Sequence, residues 1–82
     1  MTGKFIIYAL KSSVDNRIYV GFTTDIVKRL KEHNSGKTKS TKGYRPWNLF
    51  FNEEIVGTRI DARNREKYYK SGIGKEKLKL LI

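Results

Sequence analysis

"RIYVGFTTDIVKRLKEHNSG", Arg17 to Gly36, changes its period partway along. Arg17-Ile18-Tyr19-Val20-Gly21 is β-branched and aromatic and reads as a strand. From the threonines onward it reads as a helix. Thr24 or Thr23 is the expected N-cap, Asp25 falls in the first turn, and Gly36 is the stop. Ile26, Val27 and Leu30 form a narrow apolar stripe, with His33 at one edge and Arg29 just beyond it. Arg29 and His33, spaced i and i+4, are neighbours on the helix surface. A tyrosine, an arginine and a histidine thus share one strand-to-helix unit, and the question is whether they serve packing or chemistry.

Upstream, Lys4 to Lys11 ("KFIIYALK") has strand composition and Ser12 to Asn16 is a turn cluster. The two strands are expected to form an antiparallel hairpin. With Ser12 to Asp15 as the loop, Lys11 faces Asn16 and Tyr8 faces Tyr19, on one side of the sheet. Downstream, Lys37 to Arg45 carries Lys37, Lys39, Lys42 and Arg45 with no acid, and reads as a mobile loop. Pro46 favours an extended Arg45. Asn48 to Val56 reads as a strand in which Leu49, Phe51 and Ile55 alternate with Asn52 and Glu54, while Phe50 and Glu53 break the pattern. Thr58 to Gly72 reads as a helix, with Thr58 and Asp61 resembling a capping box. Ala62, Glu66 and Tyr69 share its clearest face, an unusual setting for a carboxylate. Gly74 to Ile82 makes a short last helix whose Leu78, Leu81 and Ile82 are expected to pack on the core. The order β-β-α-β-α-α specifies an α+β domain with a small, mostly antiparallel sheet flanked by helices.

At 82 residues the chain is one domain, 1–82, and 38% hydrophobic residues suffice for a thin core. The absence of cysteine excludes disulfides, thiolate chemistry and cysteine zinc sites, and fits a reducing compartment such as the cytoplasm. No apolar run is long enough to cross a membrane. "MTGKFIIYALK" has too short an apolar core for a secretory leader. Eighteen Lys and Arg against eight Asp and Glu give a formal charge of +10. Such an excess suits a polyanion, and nucleic acid first, with solubility alone as the plain alternative. No helix is basic on one face and strongly apolar on the other, which argues against a membrane surface.

Few catalytic constellations fit this composition. A single histidine excludes a His-rich metal site, and no glycine-rich loop follows a strand. Tyr8, Tyr19, Arg29, His33 and Glu66 remain, drawn from four elements. Each has a plain reading. Sheet tyrosines pack with a wet hydroxyl. Arg29 is a solvated helix charge, and His33 suits a helix C-terminus. Glu66 pairs with Arg63 or Lys70 at helical spacing. Trp47 is core. For nucleic acid, the loop Lys37, Lys39, Lys42 and Arg45 is expected to touch phosphates, and Tyr44 to stack on an unpaired base. Arg63 and Arg65, in a second cluster with Arg59, Lys67 and Lys70, would extend that surface.

At "IIY" (Ile6 to Tyr8) and "YVG" (Tyr19 to Gly21) the chain resembles the GIY-YIG nuclease family. Arg29 stands ten residues after Tyr19, His33 follows one turn later, and "RE" at Arg65-Glu66 supplies a glutamate on the later helix. "HNSGKTKSTKGYRPW" is similar to the small stand-alone members. The resemblance covers nearly the whole chain. It implies a central three-stranded antiparallel sheet and metal-dependent hydrolysis of DNA phosphodiesters, with one Mg²⁺ or Mn²⁺. Glu66 would hold the metal. Tyr8 would activate or position water with Tyr19 beside it, Arg29 would grip the scissile phosphate, and His33 would support the site. The implied enzyme is structure-specific or repair-related, with little sequence specificity or with a protein partner that supplies it. DNA is the expected substrate and RNA a further one. Three departures stand out. Ile6 replaces glycine, no asparagine follows Asn64, and Phe22 brings a bulky ring after the second motif that could crowd the site. The motif positions vary, so Ile6 is a mild change; the missing asparagine and Phe22 favour the alternative reading, a nucleic-acid-binding module that does not cleave. A basic scaffold protein of a ribonucleoprotein is a third.

Overall fold

The computed structural model describes residues 3–82; Met1 and Thr2 of the stretch tested as a leader lie outside the described residues. Strand β1 (Gly3–Ser12) is central, flanked by β2 (Ile18–Thr23) and β3 (Trp47–Gly57), both antiparallel to it, in the order β2-β1-β3. Helix α1 (Ile26–Ser35) follows β2, and α2 (Arg59–Lys70) and α3 (Gly72–Lys79) follow β3. The α+β class, the element order and the three-stranded antiparallel sheet are as the sequence specifies.

The sheet separates two apolar layers. On one face Ile7, Ala9 and Val20 pack with Ala62 and Tyr69 of α2 and Leu78 of α3. On the other, Tyr8, Leu10 and Trp47 pack with Ile26 and Leu30 of α1. Alternation along β1 creates both layers, since successive side chains leave opposite faces. Strand β3 serves both through a register shift opposite Ala9 and Leu10, where Ala9 pairs with Phe51 but Leu10 with Leu49. Phe50 is the extra residue of this bulge. Leu49 therefore joins the α1 layer and Phe51 and Ile55 the α2 layer, which corrects the single alternating face read for this strand. Glu53, paired with Ile7, lies on the α2 side. It is gripped there by Arg65 (Nε–Oε1 2.6 Å, Nη2–Oε2 3.1 Å) and accepts the Tyr69 hydroxyl at 2.8 Å.

The hairpin turn is longer than expected. Lys11 faces Ile18, Tyr8 faces Gly21, and Tyr19 faces Leu10. A shift of two residues preserves faces, so Tyr8 and Tyr19 stay on one side as diagonal neighbours, their ring centroids 6.3 Å apart.

Asp25 is the N-cap of α1, accepting from the Lys28 amide at 3.1 Å, in place of either threonine. Gly36 ends the helix in the left-handed region, φ 85°. Val27 points to solvent, 65% exposed, so the apolar stripe of α1 reduces to Ile26 and Leu30. The capping box of α2 forms as read, with Thr58 and Asp61 bonding reciprocally. Helix α3 begins at Gly72, two residues early, because Ser71 caps it. It buries Leu78 alone of the three expected residues; Leu81 and Ile82 are exposed. No helix among the described residues is long and apolar enough to cross a membrane.

Candidate active site

The α1 face of the sheet carries a chain of hydrogen bonds through buried side chains. Arg29 Nε donates to the Tyr8 hydroxyl at 3.3 Å. The Tyr8 hydroxyl lies 3.0 Å from His33 Nε2. His33 Nδ1 lies 2.9 Å from Thr41 Oγ1, and Thr41 Oγ1 donates to the Thr38 carbonyl at 3.2 Å. The proton positions follow from this order. Thr41 has given its proton to Thr38, so its oxygen accepts from His33 Nδ1–H. Neutral His33 is then bare at Nε2 and accepts the proton of Tyr8. Arg29, a donor only, completes the chain at the phenol oxygen. Tyr8, His33 and Thr41 are at most 1% exposed, and each polar atom has its partner.

The environment fixes the charge states. Burial pushes the Tyr8 phenol up to about 12. The Arg29 hydrogen bond pulls the other way, and the negative charge of Glu66 adds to the rise. Burial, aided by the Arg29 charge, lowers His33 to about 4, so it is neutral at pH 7. The bond to Tyr8 pushes Arg29 further up.

Local structure explains the constellation. Gly21 lies opposite Tyr8, and a Cβ there would sit 2.6 Å from the phenol oxygen. Only glycine lets the Tyr8 ring lie over the backbone of β2. Tyr19 packs edge-on against the His33 ring, centroids 4.8 Å apart, and against Trp47 at 6.2 Å. Trp47 Nε1 donates to the Thr41 carbonyl at 2.8 Å, and Asn34 brackets the Trp47 backbone. The basic loop is therefore anchored at its centre through fully buried Thr41, where a mobile loop was expected. Thr41 is the residue that sequence reading missed. A threonine in a Lys-, Ser- and Gly-rich loop carries no signal of burial.

Glu66 stands on α2, which packs against the other face of the sheet, and among the described residues it makes no hydrogen bond to this chain of side chains. Its side chain is 18% exposed, with Lys70 Nζ 3.8 Å away, the pairing read from helical spacing. Its charge is felt at Tyr8, which ties it electrostatically to the chain above. Among the described residues no three His, Cys, Asp or Glu side chains cluster, so a metal would draw on fewer than three such side chains. A largely covered glutamate bordered by one lysine fits Mg²⁺, which commonly takes one or two carboxylates and completes its shell with water and phosphate.

The residues expected to touch nucleic acid are spread unevenly. Lys37, Lys39, Lys42 and Arg63 are exposed and have no carboxylate partner among the described residues. Arg45 is exposed but donates to the Lys42 carbonyl at 2.8 Å. Arg65 is committed to Glu53, its guanidinium pushed well up by that carboxylate, and this removes it from the free surface. Tyr44 has the Arg17 guanidinium 3.8 Å from its ring centroid and Trp47 at its edge, so its exposed face is not free for a base. Phe22 pairs with Ile7 and packs with the α2 layer, on the opposite side from Tyr8, so it does not crowd the phenol.

The GIY-YIG catalytic domain model matches residues 4–79. The chain is 40% identical over 77 residues to UPF0213 protein YazA of Bacillus subtilis, covering 93% of this chain and 76% of that protein. It is 41% identical over 80 residues to a UPF0213 protein of Syntrophus aciditrophicus, covering 95% and 90%. A segment of 51 residues is 35% identical to the human structure-specific endonuclease subunit SLX1, covering 57% of this chain and 18% of that protein. The solution NMR structure of UPF0213 protein BH0048 from Bacillus halodurans superposes with a TM-score of 0.56 at 33% identity, covering 96% of this chain and 85% of that one. A family match over nearly the whole chain, with relatives at this identity, establishes that the chain belongs to the GIY-YIG nuclease family.

Proposed function

We propose that this protein is a divalent-metal-dependent endonuclease that hydrolyses DNA phosphodiesters, with Tyr8, Tyr19, Arg29, His33 and Glu66 as its active-site set. The observation that carries this reading is the Arg29–Tyr8–His33–Thr41 hydrogen-bond chain. A buried tyrosine held only for packing does not need an arginine on one side and a bare imidazole nitrogen on the other.

The chemistry follows from that order. A water admitted to the Tyr8 oxygen as Arg29 turns to a bound phosphate can pass it a proton while the Tyr8 proton moves to His33 Nε2. The resulting hydroxide attacks phosphorus, and the leaving oxygen takes its proton from solvent. At rest Tyr8 stays protonated and His33 neutral, so the transfer belongs to the reaction and not to the free protein. A phosphate held on Arg29 places negative charge beside His33, which favours the imidazolium. The planar Arg29 fork suits two phosphate oxygens once Nη1 exchanges the Glu32 carboxylate, 3.4 Å away, for phosphate. Tyr19 holds the imidazole ring upright. Glu66 would hold Mg²⁺ or Mn²⁺, which supplies positive charge to the scissile phosphate and its leaving oxygen.

The basic loop Lys37, Lys39 and Lys42, with Arg63, would contact backbone phosphates, which position a duplex without reading its sequence. The likeness to a subunit of a structure-specific endonuclease supports structure-specific cleavage with a partner protein; the recognition of DNA shape or ends, in repair, belongs to the same proposal. The test is cleavage of labelled single-stranded, duplex, nicked and branched DNA, and of RNA, with Mg²⁺, Mn²⁺ or chelator, beside Glu66→Ala. Metal-dependent cutting that vanishes in the variant is the expected result. Binding without cutting on every substrate would favour the non-cleaving module.

A further inference from the structure

Two of the cavities on the described surface differ in charge. The larger, about 450 Å³, lies along the outer side of α1 and includes the carboxylates of Asp25 and Glu32 in its wall. The smaller, about 280 Å³, is lined by Phe5, Phe22, Thr23, Thr24, Arg29 and Arg59. Its lining contains no carboxylate and two arginines. Arg29 belongs to the hydrogen-bond chain of Tyr8. Arg59 opens α2, is exposed, and has no carboxylate partner among the described residues. Its guanidinium is steadied 5.4 Å from the Phe22 ring centroid, and Phe22 is braced edge-on by Phe5 at 6.1 Å. The bulky residue after the second motif thus supports a cation at the mouth of the cleft.

From this we infer that the Arg29–Arg59 cleft is a two-phosphate subsite, in which Arg29 takes the scissile phosphate and Arg59 the neighbouring phosphate of the same nucleic-acid strand. The inference rests on the proposed active site for the role of Arg29, but not on cleavage. Arg29 Nη1 is paired with Glu32 Oε1 at 3.4 Å, so a strand phosphate there competes with one carboxylate, while Arg59 has none; two guanidiniums lining one small cleft match the repeating negative charge of a strand better than a single anion. Thr24 adds a hydroxyl to the lining, while the Thr23 hydroxyl already donates to the Asp25 carbonyl at 3.3 Å. The Phe5–Phe22 wall gives the sugar an apolar surface. Arg59 has no part in the proton chain, so its loss should act on binding alone.

The test measures DNA affinity by fluorescence anisotropy, in chelator, on a short labelled single strand and its duplex, from about 50 to 200 mM salt. Arg59→Gln is compared with wild type and with Lys75→Gln, an equal loss of charge on exposed α3 outside the cleft. One lost phosphate contact lowers the slope of log affinity against log salt by roughly 0.7–0.9. Over that fourfold salt range the variant should lose about threefold less affinity than wild type. Lys75→Gln should follow wild type, and Arg59→Lys should recover part of the contact. Equal slopes and affinities for Arg59→Gln and Lys75→Gln would overturn the subsite, even if the wild type cleaves DNA. A selective loss in Arg59→Gln would uphold it even if cleavage were never found. No measurable binding to either probe would overturn the subsite, and the metal-dependent cleavage assay decides the nuclease separately.

Discussion

Acid should unfold this protein through one residue before its carboxylates titrate. His33 is the only histidine, so a stability change between pH 7 and 5 has one side chain to come from. In the unfolded chain it titrates near 6.5; in the fold, burial and the Arg29 charge hold it down to about 4. Between those values the unfolded state binds a proton that the native state refuses, so stability falls as pH falls. The contribution is fully present above 6.5 and is lost progressively down to about 4. It amounts to about 2 kcal/mol by pH 5 and roughly 3 kcal/mol at pH 4. For a domain of this size each kcal/mol moves Tm by about 4–8 °C. The assay is a series of urea and thermal melts from pH 7.5 to 4.5, repeated on His33→Gln. The wild type should lose stability steadily across this range. The variant, less stable at pH 7, should show a nearly flat profile until the carboxylates titrate. A flat wild-type profile between pH 7 and 5 would refute the buried, neutral imidazole on which the proton order depends.

Three further outcomes follow from single contacts. Thr41→Val strips the acceptor from His33 Nδ1–H in a site with no exposure, and should cost about 1–3 kcal/mol in denaturant melts. Nitrogen NMR of the His33 ring should show its proton moving to Nε2 in that variant, with cleavage reduced; Thr41→Ser should restore both, and an unmoved proton would contradict the assigned order. Gly21→Ala pushes a methyl into the Tyr8 hydroxyl and should destabilise by about 1–3 kcal/mol while reducing cleavage, whereas a neutral effect on both would show that the ring moves freely. Tyr69→Phe removes the hydroxyl donated to Glu53 and should cost about 1 kcal/mol with DNA affinity unchanged, as measured by urea melts and anisotropy.

The elements were legible where local chemistry decides them. Gly36 stops α1 and the Thr58–Asp61 box starts α2 because a cap is made by residues adjacent in sequence. The hairpin register was not legible. Turn length is set by bonds such as Ser12 N to the Arg17 carbonyl and Ser13 N to the Pro46 carbonyl, and the second partner is distant in sequence. The bulge at Phe50 showed only as a broken alternation, and its meaning needed the partner strand. Four of the candidate residues, Tyr8, Tyr19, Arg29 and His33, were recognisable by type and order, and the fold brings them into contact. Thr41 was not, since its importance comes entirely from what packs over it. Arg65 and Tyr44 looked free because their partners, Glu53 and Arg17, lie on other elements. The terminal apolar residues Leu81 and Ile82 show the same limit, because hydrophobicity alone does not place a side chain in a core already filled by Leu78.

The central claim is that the Tyr8 hydroxyl carries the proton from attacking water to His33. Single-turnover cleavage by wild type and Tyr8→Phe tests it most directly, on whichever labelled DNA the wild type cuts best with Mg²⁺. The substitution keeps the buried ring and removes one oxygen, so melts should show a folded protein and anisotropy an unchanged DNA affinity. Cleavage should fall at least 100-fold, the scale of a lost proton-transfer group. A folded Tyr8→Phe protein cutting within a few-fold of wild type would contradict the account and leave the hydrogen-bond chain a structural one.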